Sequence, residues 1–184
     1  MTPEDQGRSI RVKSLKKSPS YRLAHLDKDF ISLPELRGVR LQMELKKAEL
    51  LQQAYGVKST IVVFGGTRIL EQADAEEKLR KVENMLARDP ENPEKQRDVR
   101  IAKNVLKKTH YYDEARELAR IVSSTCQMDE NCDYVIVTGG GPGIMEAANR
   151  GAYDVGAKSI GLNITIKTEQ EPNSYISPEL CFEF

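Results

Sequence analysis

The chain has 184 residues, of which 39% are hydrophobic and 30% charged, with 28 basic and 28 acidic side chains in balance. That length suits one domain of about 150 residues, and with 12 glycines added the apolar share is that of a globular chain rather than a disordered tail. No run approaches the roughly 18 apolar residues of a membrane helix, and zero net charge argues against non-specific nucleic-acid binding, which rests on a basic excess.

Residues 1–70 carry 13 basic and 7 acidic residues. The first 20 hold many Ser and Lys and few large apolar residues, and positive charge with no apolar stretch behind it is no secretory signal. Residues 1–33 are read as a mobile or extended arm. From Pro34, a first-turn residue, Leu36, Val39, Met43, Leu50 and Ala54 recur at helical spacing, widened by Leu41, Leu45 and Ala48. Gly56 stands where a C-terminal cap belongs.

Ser59–Phe64 reads STIVVF, apolar and β-branched without polar alternation, which predicts a strand buried on both faces. Gly65-Gly66-Thr67-Arg68 follows. Glu71–Arg88 and Glu94–Lys108 are rich in helix formers and broken by Asp89-Pro90-Glu91-Asn92-Pro93. They form a charged helical insertion over residues 71–110, with a large solvated face. Asp113 can cap a further helix whose apolar face holds Ala115, Leu118, Ala119, Val122 and Cys126. Cys126, Cys132 and Cys181 make neither a disulfide framework nor a metal set. Together these features fit a soluble, cytoplasmic protein.

Tyr134–Thr138 (YVIVT) predicts a second buried strand, followed by Gly139-Gly140-Gly141-Pro142-Gly143 and a helix from Ile144. Ser159–Ile164 predicts a third strand. Strands alternating with helices give an α/β, Rossmann-like three-layer fold on a parallel sheet, spanning residues 34–184.

In such a sheet both glycine loops leave the carboxyl ends of their strands, where ligands bind. Glycines let backbone N–H groups approach an anion, and a helix N-terminus adds partial positive charge. No Gly-Lys-Ser/Thr follows, so this is not an ordinary ATPase loop. Counting from Gly139 or Gly141 puts Ile144 or Glu146 at the third glycine of the dinucleotide fingerprint. The third strand also ends without the acid that takes the ribose hydroxyls, so NAD is disfavoured and a mononucleotide or sugar phosphate fits better. Thr67 adds a hydroxyl donor and Arg68 a forked cation for phosphate. Glu146 suits the helix dipole and is open to a structural or a ligand role, and Glu169 to Asn173 form a polar loop. Neither His25 nor His110 belongs to a catalytic set.

The run Val137 to Ala152 (VTGGGPGIMEAANRGA) resembles the glycine motif of the LONELY GUY family, long labelled "putative lysine decarboxylase". Val63 to Arg68 resembles that family's opening strand and loop. Gly161–Ile164 with Glu169-Gln170 and Pro172-Asn173 resembles its next strand and loop. The resemblance covers about residues 57–184. It implies a Rossmann-like fold, a homodimer or higher homo-oligomer, and no cofactor. It also implies hydrolysis of the N-glycosidic bond of a nucleoside 5′-monophosphate such as AMP. The substrate-binding residues on this reading are Gly65, Gly66, Thr67, Arg68, Thr138, Gly139, Gly140, Gly141, Pro142, Gly143, Met145, Glu146 and Glu169.

The family's Pro-Gly-Gly-x-Gly-Thr signature with its glutamate, and the Arg-Lys pair before it, are absent from the sequence. In that family they supply the phosphate loop and the glutamate and arginine held to be catalytic, so no catalytic residue is assigned, and the chain is expected to be an N-terminal portion with three parallel strands. The alternative reading is a non-enzymatic nucleotide or phosphorylated-cofactor carrier, and a third is an oligomer-forming scaffold. Neither nucleic acid nor a membrane is expected as a partner.

Overall fold

The computed structural model describes residues 3–127, 132–165 and 171–184. The chain divides into two units, Met1–Lys47 and Ala48–Phe184.

In the first unit the chain opens on a helix. Helix α1 (Pro3–Lys17) opens on Glu4 and Asp5 and closes on Lys16 and Lys17, charges that complement its dipole at both ends. The short helix α2 (Lys28–Ile31) is capped by Asp27, whose carboxylate accepts from the Phe30 N–H. A 3₁₀ turn over Pro34–Leu36 leads into α3 (Arg37–Ala54). Arg40 donates to the carbonyls of Ile31 and Leu33. Among the described residues of this unit none is buried. Of the apolar stripe, Val39, Leu41, Met43 and Leu45 are exposed, whereas Ala48 is buried. Helical periodicity identified the helix but not what covers it.

The second unit holds a four-stranded, all-parallel sheet in the order β1-β2-β3-β4, flanked by helices as in a Rossmann-like fold. Its strands are β1 (Thr60–Val62), β2 (Val135–Thr138), β3 (Ser159–Asn163) and β4 (Cys181–Glu183). The fourth strand was not foreseen, because its CFE core is too short to show a period. Gly56, at φ +75°, turns the chain out of α3 towards β1 as expected.

The helices between strands are α4 (Gln72–Ala87), α5 (Pro93–Leu106), α6 (His110–Cys126) and α7 (Ile144–Tyr153). Helix α6 starts three residues before Asp113, on Thr109 without a side-chain cap. Asn92 does cap α5, accepting from the N–H groups of Glu94 and Lys95.

Two cores sandwich the sheet. On one face Ala48 and Leu51 of α3 pack with Val135, Val137, Ile160, Leu180 and Phe182. On the other, Ala119 of α6 and Ala148 and Ala152 of α7 pack with Ile136, Ile61 and Val63. Leu118, expected on the packed face of α6, is exposed. Gly151 lets α6 and α7 close, since a Cβ there would collide with the Arg116 carbonyl.

Strand β1 is not buried on both faces. It pairs with β2 alone among the described strands, and Val62 and Phe64 are 52% and 84% exposed. An edge position beside an uncovered part of the sheet accounts for both values.

Candidate functional site

Because every strand runs in the same direction, the segments after β1, β2 and β3 all leave one edge of the sheet. The first two interlock. The N–H of Ile144, at the start of α7, donates to the Gly66 carbonyl at 3.3 Å. Gly143 sits at φ +76°, where a Cβ would collide with that same carbonyl oxygen and with the Thr67 backbone. A Cβ on Gly65 would run into the Ile144 side chain. The glycines at these positions therefore serve a close approach of two backbones.

The Gly139–Gly143 loop is anchored from below. Thr138 is buried, its hydroxyl donating to Asn149 Oδ1 at 2.7 Å and accepting from the Gly140 N–H at 3.0 Å. Gly140 lies at φ +73° against Asn163, whose amide donates to the Phe182 carbonyl at 3.1 Å. Asn173, after β3, donates its side-chain amide to the carbonyls of Gly140 and Gly141 at 3.0 and 3.1 Å, and its backbone N–H to the Gly140 carbonyl at 2.8 Å. Asn149 is fully buried and links the set to β3, donating to Ser159 Oγ at 3.0 Å.

The Gly140 and Gly141 carbonyls are thus bound by Asn173. The N–H groups of Gly141, Gly143 and Met145 have no partner among the described residues. Unpaired N–H groups at a glycine loop and a helix N-terminus are what an anion needs.

The residues named from the sequence fall as follows. Gly65, Gly66, Thr67 and Arg68 are exposed on the first loop. The Arg68 guanidinium has no ion-pair or hydrogen-bond partner among the described residues. Gly139, Gly140, Gly141, Pro142 and Gly143 form the second loop, and the Met145 sulfur folds back to within 3.1 Å of where a Gly139 Cβ would stand. Thr138 lies beneath the loop with its hydroxyl committed to Asn149 and Gly140. Glu169 lies outside the described residues. No group of three or more His, Cys, Asp or Glu that could hold a metal occurs among the described residues. No helix among them is long and apolar enough to cross a membrane.

Glu146 is tied into a network that sequence reasoning missed. Its Oε1 accepts from the Tyr112 hydroxyl of α6 at 2.9 Å. Arg150, one turn further along α7, donates to Glu71 Oε2 at 2.7 Å and to the Tyr112 oxygen at 3.4 Å. Its guanidinium also lies 5.2 Å from the centre of the Tyr175 ring. Burial pushes the Tyr112 hydroxyl well above its ordinary range, reinforced by the Glu146 carboxylate, so it stays a neutral donor. Hydrogen bonds to Tyr112 and Glu71 push the Arg150 guanidinium up. Arg116 braces the same helix pair, donating twice to Asp154 at 2.6 and 3.0 Å. Tyr112 stands 34 residues before Glu146, and no local pattern links them.

Residues 104–180 match the sequence model of the SLOG cluster4 family. The SLOG superfamily includes LONELY GUY-like proteins, in accord with the resemblance carried by the glycine run, and the match points to a nucleotide-related function at the superfamily level. None of the curated proteins matches the chain.

Proposed function

We propose that the chain binds a nucleoside 5′-monophosphate of the AMP type, with the phosphate on the two glycine loops. On this reading it supplies that seat to an enzyme that hydrolyses the N-glycosidic bond to free base and ribose 5-phosphate. The observation that carries the reading is the junction of the loops. Gly66, Gly143 and Ile144 hold the two backbones together, while Gly141, Gly143 and Met145 keep N–H groups without a partner among the described residues. Arg68, exposed on the first loop, supplies a full positive charge where the neutral N–H groups supply direction.

Hydrolysis places water oxygen on the anomeric carbon while the C–N bonding electrons leave with the base, which takes up a proton. The ribose passes through oxocarbenium character, which a nearby carboxylate stabilises. The resemblance assigns that carboxylate to the Pro-Gly-Gly-x-Gly-Thr signature, which these 184 residues do not contain. The role supported here is therefore substrate binding, and the resemblance also supports a homodimer as the assembly.

The test is to incubate the purified chain with AMP, separate the products and record its melting temperature. AMP and ribose 5-phosphate should both raise the melting temperature, and no free adenine should form. Ligand at 100 times its dissociation constant stabilises by about 2.7 kcal/mol. An unchanged melting temperature with both ligands would overturn the binding assignment, and adenine release would overturn the placement of catalysis outside these residues.

A further inference from the structure

We infer that Tyr112 and Arg150 are positioning residues of the nucleotide seat: they tie back the Glu146 carboxylate, so that the α7 N-terminus presents its N–H groups to a phosphate without a competing negative charge. The inference rests on the phosphate-seat reading above and goes beyond it to residues that touch no ligand.

Glu146 stands in the first turn of α7, three residues after Gly143. A carboxylate there is favoured by the helix dipole for the same reason a phosphate is, so the two anions compete for one field. In the structure that carboxylate is occupied instead by the Tyr112 hydroxyl, on a side chain only 2% exposed. Tyr112 itself accepts from Arg150, whose other bond goes to Glu71. The charges in this cluster are Glu146, Glu71 and Asp154 against Arg150 and Arg116, with Arg116 within 3.7 Å of Glu71. Glu146 is thus held within a network that is already paired on both sides.

The same guanidinium touches two of the connections directly and reaches the third only through the Tyr112 hydroxyl. Glu71 follows the first glycine loop. Glu146 follows the second. Tyr175, under Arg150, lies two residues after Asn173, which grips the carbonyls of Gly140 and Gly141. The Arg150 side chain is 21% exposed and carries one ion pair, to Glu71. Both contacts leave a single guanidinium nitrogen, Nη1, which joins Glu71 to Tyr112.

The experiment is calorimetric titration of AMP, and separately of inorganic phosphate, into the full chain and into Tyr112→Phe, Glu146→Gln and the double variant. Tyr112→Phe removes one oxygen and frees the carboxylate. It should weaken AMP about fivefold, the size of one close like-charge contact in water. Glu146→Gln removes the competing charge and should bind AMP more tightly than the parent, and adding it to Tyr112→Phe should reverse the loss of affinity. A purely structural role would lower the melting temperature of Tyr112→Phe without rescue by Glu146→Gln. Arg150→Lys, with the same rescue expected, serves if Tyr112→Phe does not fold. Parental affinity in Tyr112→Phe, or a double variant as weak as Tyr112→Phe, would overturn the inference while leaving the seat intact. A parent chain that binds neither AMP nor phosphate would overturn the seat itself, and the inference with it.

Discussion

Asn173 donates its side-chain amide to Oδ1 of Asn149 at 3.0 Å, joining the segment after β3 to the middle of α7. Asn149 Oδ1 also accepts from Thr138, and Asn173 also holds the Gly140 and Gly141 carbonyls. The conformation of the second glycine loop is therefore set by two asparagines that lie outside it.

Asn173→Ala should destabilise the chain by about 2 kcal/mol, since it leaves several partly or fully buried acceptors without their donor. Urea unfolding checks this. Because the loop carbonyls are released, AMP affinity should fall in the same variant, and an unchanged affinity would mean that the loop holds its shape unaided.

Gly143→Ala places a Cβ against the Gly66 carbonyl at a backbone angle that L-residues rarely adopt. The two loops must separate or the turn must rearrange, at a cost of about 3 kcal/mol. Its thermal unfolding should reflect that loss. Gly56→Ala shares the positive φ but meets nothing within 4 Å, and should cost markedly less.

Ser123 is 1% exposed, and its hydroxyl has no hydrogen-bond partner among the described residues. Burying an unsatisfied hydroxyl is unfavourable, so Ser123→Ala should leave stability unchanged or raise it by up to about 1 kcal/mol. A clear loss of stability would reveal a partner for that hydroxyl.

The Tyr112 hydroxyl titrates above its ordinary range in the folded chain. The unfolded chain ionises it near pH 10, while the folded chain still holds the proton. Its contribution is therefore complete below about pH 10 and is lost as the pH rises towards the folded value. Melting temperatures recorded from pH 8 to 11 should fall more steeply for the parent than for Tyr112→Phe. Parallel curves would contradict the buried, protonated assignment.

Much of the second unit was legible in the sequence because its signals are local. Glycine runs after β-branched segments marked the ends of β1 and β2, and Asn92-Pro93 marked the start of α5. The remainder depends on pairings distant in sequence. The exposure of Val62 and Phe64 follows from which strands flank β1, which their β-branched and aromatic character does not encode. The Tyr112–Glu146 bond follows from how α6 crosses α7 at Gly151. Asn149 lay inside the recognised glycine motif and Asn173 in a recognised Pro-Asn pair, yet neither suggested a contact with the other.

The two joined glycine loops are proposed to seat the phosphate of a nucleotide. Calorimetric titration of the chain with AMP and with adenosine tests it most directly, since the two differ only in the phosphate. AMP should bind measurably, and more weakly to Gly143→Ala, while adenosine should bind at least about tenfold more weakly than AMP, a difference of about 1.4 kcal/mol. Equal affinity for AMP and adenosine, or no affinity for either, would contradict it.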